Sequence, residues 1–281
     1  RVLGANPATT LRDWKAFYAL SPNGDIAPNA YINTQNTANL FLQTVYSPAG
    51  LYLGPYGYAA KYAHGQLLTE TEDMQSDGPW GHSADFGYTI FSNNSLSKYF
   101  INKIPYSFEY NDIQAGTGYP HTEYAVFTTD KTLLVRAEAY ALQGNYAAAV
   151  ADLNTEVAAM SGGTMSVTLA GIKAFYAGLQ EYTPTAPTPK KKFNAPFTIE
   201  PTTQEPVLQA ILHLRRILTL GEGVRLQDVK RYGIVIYRRV SNTRARIVAV
   251  TDTMKVDDPR RAIQIPQDVI TAGLPGNPRN K

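Results

Sequence analysis

Side chains able to carry acid–base, metal or nucleophilic chemistry are few in this chain and poorly spaced for it. The four histidines are His64, His82, His121 and His213. Metal-dependent hydrolysis wants two histidines four apart on a helix, or a clustered set, and no His-Glu-x-x-His occurs. Cysteine is absent, which removes disulfides, thiolate nucleophiles and cysteine-held zinc. No Gly-x-Ser-x-Gly elbow and no glycine-rich phosphate loop is present. Glu109, Asp112 and Glu123 lie in an aromatic region, and a glycosidase needs only two carboxylates facing across a cleft. Their spacing specifies nothing further. Asp73–Gly78 (DMQSDG) holds some of the acids of a calcium loop but lacks the alternation and the distal bidentate glutamate, so it reads as a turn. No metal and no cofactor is implied.

What the chain has in abundance is aromatic surface. Of 19 tyrosines, Tyr46, Tyr52, Tyr56, Tyr58, Tyr62, Tyr88, Tyr99, Tyr106, Tyr110, Tyr119 and Tyr124 lie in one segment. Trp80, Phe86, Phe91, Phe100 and Phe108 are interleaved with them. A tyrosine offers a flat apolar ring and a hydroxyl handle, the combination that carbohydrate and peptide ligands exploit. The same residues also pack long connections against a core. Trp80 stands between glycines and a proline in Asp77-Gly78-Pro79-Trp80-Gly81-His82, so a turn is expected to expose it. Trp80, Tyr88, Tyr56 and Tyr58 are therefore the expected ligand platforms, with Asn93, Asp77 and His82 as polar partners. The competing reading of Trp80 is a plug beneath its own loop.

The elements that would position these residues follow from periodicity and punctuation. Apolar content of 44% and a net charge of +3 over 281 residues describe an ordinary globule with a sizeable core. The charge is too small and scattered to indicate nucleic acid. No apolar run is long enough for a membrane helix, and no signal peptide is seen. Thr10–Ala19 and Asn36–Val45 read as short helices, and Leu51–Ala60 as a broken strand. Gly118–Ala125 reads as a Tyr/Pro/His loop. The spacing of Leu133, Leu134, Ala137, Tyr140 and Ala141 predicts a helix from Thr129 or Asp130 to Leu142. Gly144-Asn145 turns the chain into a return helix, Tyr146–Met160, with Ala147, Val150, Ala151, Leu153 and Val157 inward. Thr168–Tyr182 is a further helix. Thr202 and Glu205 fit a capping box for a helix running to Leu220. Lys190–Lys192 lies in a Pro-rich solvated loop. Val235–Val240 and Arg246–Val250 predict a small hairpin.

Arg215–Gly233 (RRILTLGEGVRLQDVKRYG) is the most distinctive stretch. With Leu133–Leu153 (LLVRAEAYALQGNYAAAVADL) and Ile263–Ile270 (IQIPQDVI), it resembles, in order and spacing, the C-terminal signatures of the SusD/RagB family. These are surface lipoproteins that capture nutrients for an outer-membrane transporter. The motif residues are Arg215, Arg216, Glu222, Gly223, Arg225, Asp228, Lys230, Arg231 and Gly233. Their charges are expected to pair around a helix break and so to serve the fold rather than a ligand. Leu218 stands where the family usually has Glu, and Ile217 where a basic residue is common, so that network should be thinner or rearranged here.

The resemblance covers about the last two thirds of the chain. It implies a mainly α fold, a tetratricopeptide-like helical scaffold carrying long aromatic loops and one small hairpin. Residues 1–126 would be the loop-rich aromatic segment and 127–281 the helical core. The N-terminal half of the family, with its lipid-anchor cysteine, would lie outside this chain. The implied function is non-catalytic capture of an oligosaccharide at the outer face of the outer membrane, with delivery to a SusC-like TonB-dependent transporter. A peptide-binding RagB-like role is the alternative within the family. A glycoside hydrolase and an intracellular tetratricopeptide adaptor are the alternatives outside it. The adaptor reading requires tandem repeats, and only one unit is seen.

Overall fold

Small residues at helical spacing build the first firm element of the chain. In the computed structural model, which describes residues 11, 38–47, 64–87, 90–93, 98–100, 107–242 and 246–279, Ala137, Ala141 and Ala149 are fully buried between two antiparallel helices. These helices are α2 (Thr129–Leu142) and α3 (Tyr146–Ser161), following α1 (Gln66–Thr71). Alanine keeps the two backbones close at little entropic cost. Gly144 turns the chain at φ 77°, and the Asn145 side chain caps α3 by accepting from Ala148 N at 3.2 Å. Arg136 clamps the pair through a two-pronged bond to Asp152, at 2.8 and 2.7 Å. The register differs from the expected one. Ala149, Leu153, Val157 and Met160 face inward, while Ala147 and Ala151 are exposed.

Three more helices complete this side of the molecule: α4 (Leu169–Gly178), α5 (Gln204–Leu218) and α6 (Arg225–Arg231). Helix α5 packs on α2, α3 and α4 and is buried almost all round from Val207 to Leu218. Its start is held differently from the expected capping box. The Glu200 carboxylate accepts from the backbone N–H groups of Thr202, Thr203 and Gln204 at 2.6, 2.8 and 3.1 Å. Those hydrogen bonds, led by the one from the Thr202 hydroxyl, hold Glu200 down at about 2. A carboxylate at a helix start also complements the helix dipole.

The mainly α expectation fails. Beside seven helices, the described residues form ten strands in four antiparallel sheets, and a tetratricopeptide array does not describe the chain. The largest sheet joins β1 (Asn39–Val45), β8 (Thr117–Thr128) and β7 (Ser107–Asp112), in the order β1-β8-β7. Its strands fall where a helix (Asn36–Val45) and a loop (Gly118–Ala125) were expected. The cause is long-range pairing: β1 meets β8 some 80 residues later, with Val45 opposite Thr122. A second sheet joins β2 (His64–Gly65), β6 (Lys98–Phe100) and β5 (Phe91–Asn93). The remaining two are hairpins, β3 (Asp77–Gly78) with β4 (Gly81–His82), and β9 (Ile236–Ser241) with β10 (Ile247–Met254). The last of these is the hairpin that the sequence predicts. A short helix, α7 (Gln267–Thr271), follows it. The expected helix Thr10–Ala19, apart from Leu11, and the expected strand Leu51–Ala60 lie outside the described residues.

Because Ala137 has no exposed surface in the α2–α3 interface, Ala137→Leu is expected to cost about 1–3 kcal/mol through overpacking. Thermal unfolding of the purified variant checks this, and an unchanged melting temperature would contradict the packing described.

Candidate functional site

The β1-β8-β7 sheet presents its aromatic residues to solvent. Side chains directly opposite on neighbouring strands share a face. Glu109 of β7 lies opposite Tyr119 of β8, and Ser107 lies opposite His121. Tyr46 directly follows the last paired residue of β1, and its ring lies 5.9 Å from that of His121. Tyr46, Glu109, Tyr110, Asn111 and Tyr119 together line a cleft of about 390 Å³. Two large rings on this face are left mostly in water, Tyr46 at 66% and Tyr119 at 58% exposure; the Tyr110 ring, opposite Gly118, lies on the other face of the sheet. The Tyr46 hydroxyl donates to Glu109 Oε2 at 3.1 Å. That hydrogen bond, with the carboxylate's charge behind it, pushes the Tyr46 phenol above its ordinary value. Phe108 packs edge-on against Tyr110 at 4.8 Å. Its ring lies over Gly118, where a Cβ would come within 2.7 Å of it and 2.1 Å of the Glu109 carbonyl oxygen. Nδ1 of His121 is buried without a hydrogen-bond partner beside this face. Chemically, the cleft offers flat apolar faces to stack on, a carboxylate and an amide to accept and donate, and no built nucleophile.

The residues singled out from the sequence distribute differently. Trp80 is 5% exposed and belongs to the core with Met74 and Phe86. Its ring lies 5.1 Å from that of His213, and its indole N–H donates to Ser83 Oγ at 3.0 Å. The missing side chain of Gly78 lets the indole fold inward. A Cβ on Gly78 would lie 2.3 Å from the ring. Trp80 is thus a plug and not a platform. Asp77 and His82 face each other across the β3–β4 hairpin, ion-paired and exposed, away from the Trp80 ring's buried surroundings. Asn93 contributes backbone to β5; its side chain, together with Tyr56, Tyr58 and Tyr88, lies outside the described residues. Of the three carboxylates noted among the aromatics, Glu109 is the one that lines the cleft.

The Arg215–Gly233 motif forms a buried lattice. Arg215 donates to Asp228 Oδ1 at 2.7 Å and to Glu138 Oε2 at 2.6 Å. Glu138 also accepts from the Tyr232 hydroxyl at 2.6 Å and pairs with Arg231 at 2.9 Å. Glu222 turns outward from the motif to Lys131 of α2, at 2.5 Å. Arg225 reaches Asp228 only at 3.5 Å, and Lys230 is exposed. Gly223 bends the chain at φ 76°. Gly233 adopts φ 61° with its α-carbon pressed on Asn194, whose carbonyl oxygen would lie 2.1 Å from a Cβ. Arg216 points away from this lattice, to Glu72 at 2.7 Å and Asp73 at 3.4 Å. Lys191 and Arg239 also reach Glu72, each at 3.1 Å. Lys191 is buried, contrary to the solvated loop expected for it. Leu218 and Ile217, which replace charges, lie in the core. The sequence reading missed Glu138 and Glu72, the carboxylates on which both halves of the motif depend. The signal for them was the need of two adjacent buried arginines for counter-charge.

His213 is buried against Trp80, with its ring nitrogens 2.7 Å from Ser76 Oγ and 3.2 Å from the Tyr176 hydroxyl. Burial, and Arg216 and Lys191 nearby, pull it down to about 3, so it is neutral in the fold. No known protein family, no curated protein and no solved structure matches this chain.

Two outcomes follow from this core. Trp80→Ala should lower stability by about 3–5 kcal/mol, as a buried aromatic truncation does, which denaturant unfolding would reveal. For His213 the folded state binds fewer protons than the unfolded state once pH drops below its ordinary value of about 6.5. Its contribution to stability therefore declines from that pH down to about 3. In His213→Gln, the part of the melting-temperature decline between pH 6.5 and 4.5, above the range of most carboxylates, should shrink relative to the parent chain.

Proposed function

We propose that this chain captures an oligosaccharide on the tyrosine face of its β1-β8-β7 sheet and does not transform it. The observation that carries the reading is the cleft itself, with Tyr46 and Tyr119 exposed on one sheet face beside Glu109 and Asn111. Large rings held in water are costly to leave uncovered and mark contact surfaces. A pyranose lays its C–H face on such a ring while its hydroxyls reach neighbouring polar groups. Glu109 can accept from two hydroxyls, and the Asn111 amide can both donate and accept. The resemblance of the motif segments to the SusD/RagB family supports the same reading. On that resemblance the partner is a SusC-like TonB-dependent transporter. The location is the outer face of the outer membrane, through a lipid anchor outside this chain.

A glycan array followed by calorimetry tests the reading. Tyr119→Ala should weaken binding of a retained glycan by about 1–3 kcal/mol, by analogy with base–aromatic stacking. Its melting temperature should stay unchanged, because the ring is exposed. Retention of peptides alone would replace the glycan with a peptide ligand. Chromatography of an incubated glycan should show no shortening; shortening that Glu109→Gln abolishes would overturn the non-catalytic reading.

A further inference from the structure

A second cavity lies on the opposite functional logic from the tyrosine cleft. It measures about 180 Å³, and Lys191, Arg216, Arg225 and Arg239 line it together with a single carboxylate, Glu72. Four basic side chains against one carboxylate leave the lining with a surplus of positive charge. Glu72 is shared by Lys191, Arg216 and Arg239. The carboxylates behind the wall offset part of the surplus but are shared with other partners. Asp73 is 3.4 Å from Arg216 and is already held by His64 at 2.7 Å. Asp228 is 3.5 Å from Arg225 and is already held by Arg215 at 2.7 Å. Nη1 of Arg225 is buried and makes no hydrogen bond. Its contact with Asp228 Oδ2, at 3.5 Å, is too long for a hydrogen bond, and a buried guanidinium nitrogen so held is under-satisfied, which a ligand acceptor would relieve. The opposite wall is apolar, with Leu68, Val229 and Ile236 beside the Tyr182 ring.

We propose that this cavity binds a small organic carboxylate with a short apolar body. Its two oxygens would accept from the Arg225 guanidinium, a planar fork matched to a planar carboxylate, with Arg216 beside it. Its apolar body would lie against Leu68, Val229 and Ile236. Burial, together with Arg216 beside it, lowers Arg225 to about 10, and burial lowers Lys191 to about 7 despite Glu72. Burial is the larger cause in both.

The test uses the whole chain and sodium butyrate as probe, with sodium chloride at equal concentration as the control. Saturation-transfer NMR on the butyrate methyl protons, and the melting temperature as a function of butyrate, should both report binding beyond chloride. Arg225→Met should weaken the butyrate affinity at least tenfold with its own fold intact, because Asp228 keeps Arg215 as its partner. Arg225→Lys, which retains the charge but loses the fork, should weaken it at least threefold. Inorganic phosphate should compete poorly, since it offers nothing to the apolar wall. The proposal is overturned by an absence of saturation transfer, by an affinity in either Arg225 variant equal to that of the parent chain, or by phosphate binding as well as butyrate.

Discussion

Helix α5 carries two adjacent arginines into an interior that it fills mostly with apolar side chains, and the rest of the structure is arranged around neutralising them. Neighbouring positions on a helix point about 100° apart, so one segment cannot serve both. Arg215 is met by Glu138 from α2 and Asp228 from α6, and Arg216 by the Glu72–Asp73 pair that follows α1. Burial alone would drive Glu72, Asp73 and Glu138 toward the protonated state. The facing cations reverse that, so all three are held below their ordinary values. Removing one partner from such a buried pair typically costs about 3–5 kcal/mol, far more than the intact pair contributes. The lattice therefore acts mainly on specificity: packings that leave either arginine without its carboxylates are excluded.

The two sides of this lattice are not equivalent. On the Arg215 side, Glu138 and Asp228 share out the donors of Arg215, Arg231 and Tyr232, and charge is close to balanced. On the Arg216 side, Lys191 and Arg239 crowd onto Glu72, which already serves Arg216. A purely structural network would gain nothing from the additional cations, since each one brings its own desolvation cost. The asymmetry separates a region that holds the fold from a region with capacity left for an anion.

What was legible in the sequence was local. The α2–α3 pair shows in the spacing of Leu133, Leu134, Ala137 and Ala141, and the β9–β10 hairpin in two β-rich runs around Ser241-Asn242. Sequence-distant pairings were not legible. Gly118 and Pro120 read as loop residues, yet both sit in β8 paired with β7, and Gly118 is needed there because Phe108 and the Glu109 carbonyl leave no room for a Cβ. Trp80 was misread because glycine and proline describe the path of the backbone, not the direction of a side chain. The aromatic segment did contain exposed tyrosines, but composition alone could not separate the rings of Tyr46 and Tyr119, on one sheet face, from those that close a core. The motif's carboxylate partners were hidden for the same reason as the sheet, since Glu72 and Glu138 lie far from Arg216 and Arg215 in sequence.

The exposed sheet and the buried lattice are one piece of chain. Strand β8 ends at Thr128, whose side-chain oxygen accepts from Lys131 N and so caps α2. From α2, the Lys131 ammonium reaches back to the carbonyl oxygens of Ala125 and Val126, at 2.8 and 3.3 Å, and across to Glu222 of the motif. Seven residues on, Glu138 takes up Arg215. The segment that positions Tyr119 is therefore continuous with the segment that neutralises α5, with no flexible linker between them. A stacking surface gains affinity from being held in place before the ligand arrives, because less conformational freedom is lost on binding. Lys131 is the residue that joins the two, a cation bound at once to the strand, the helix and the motif.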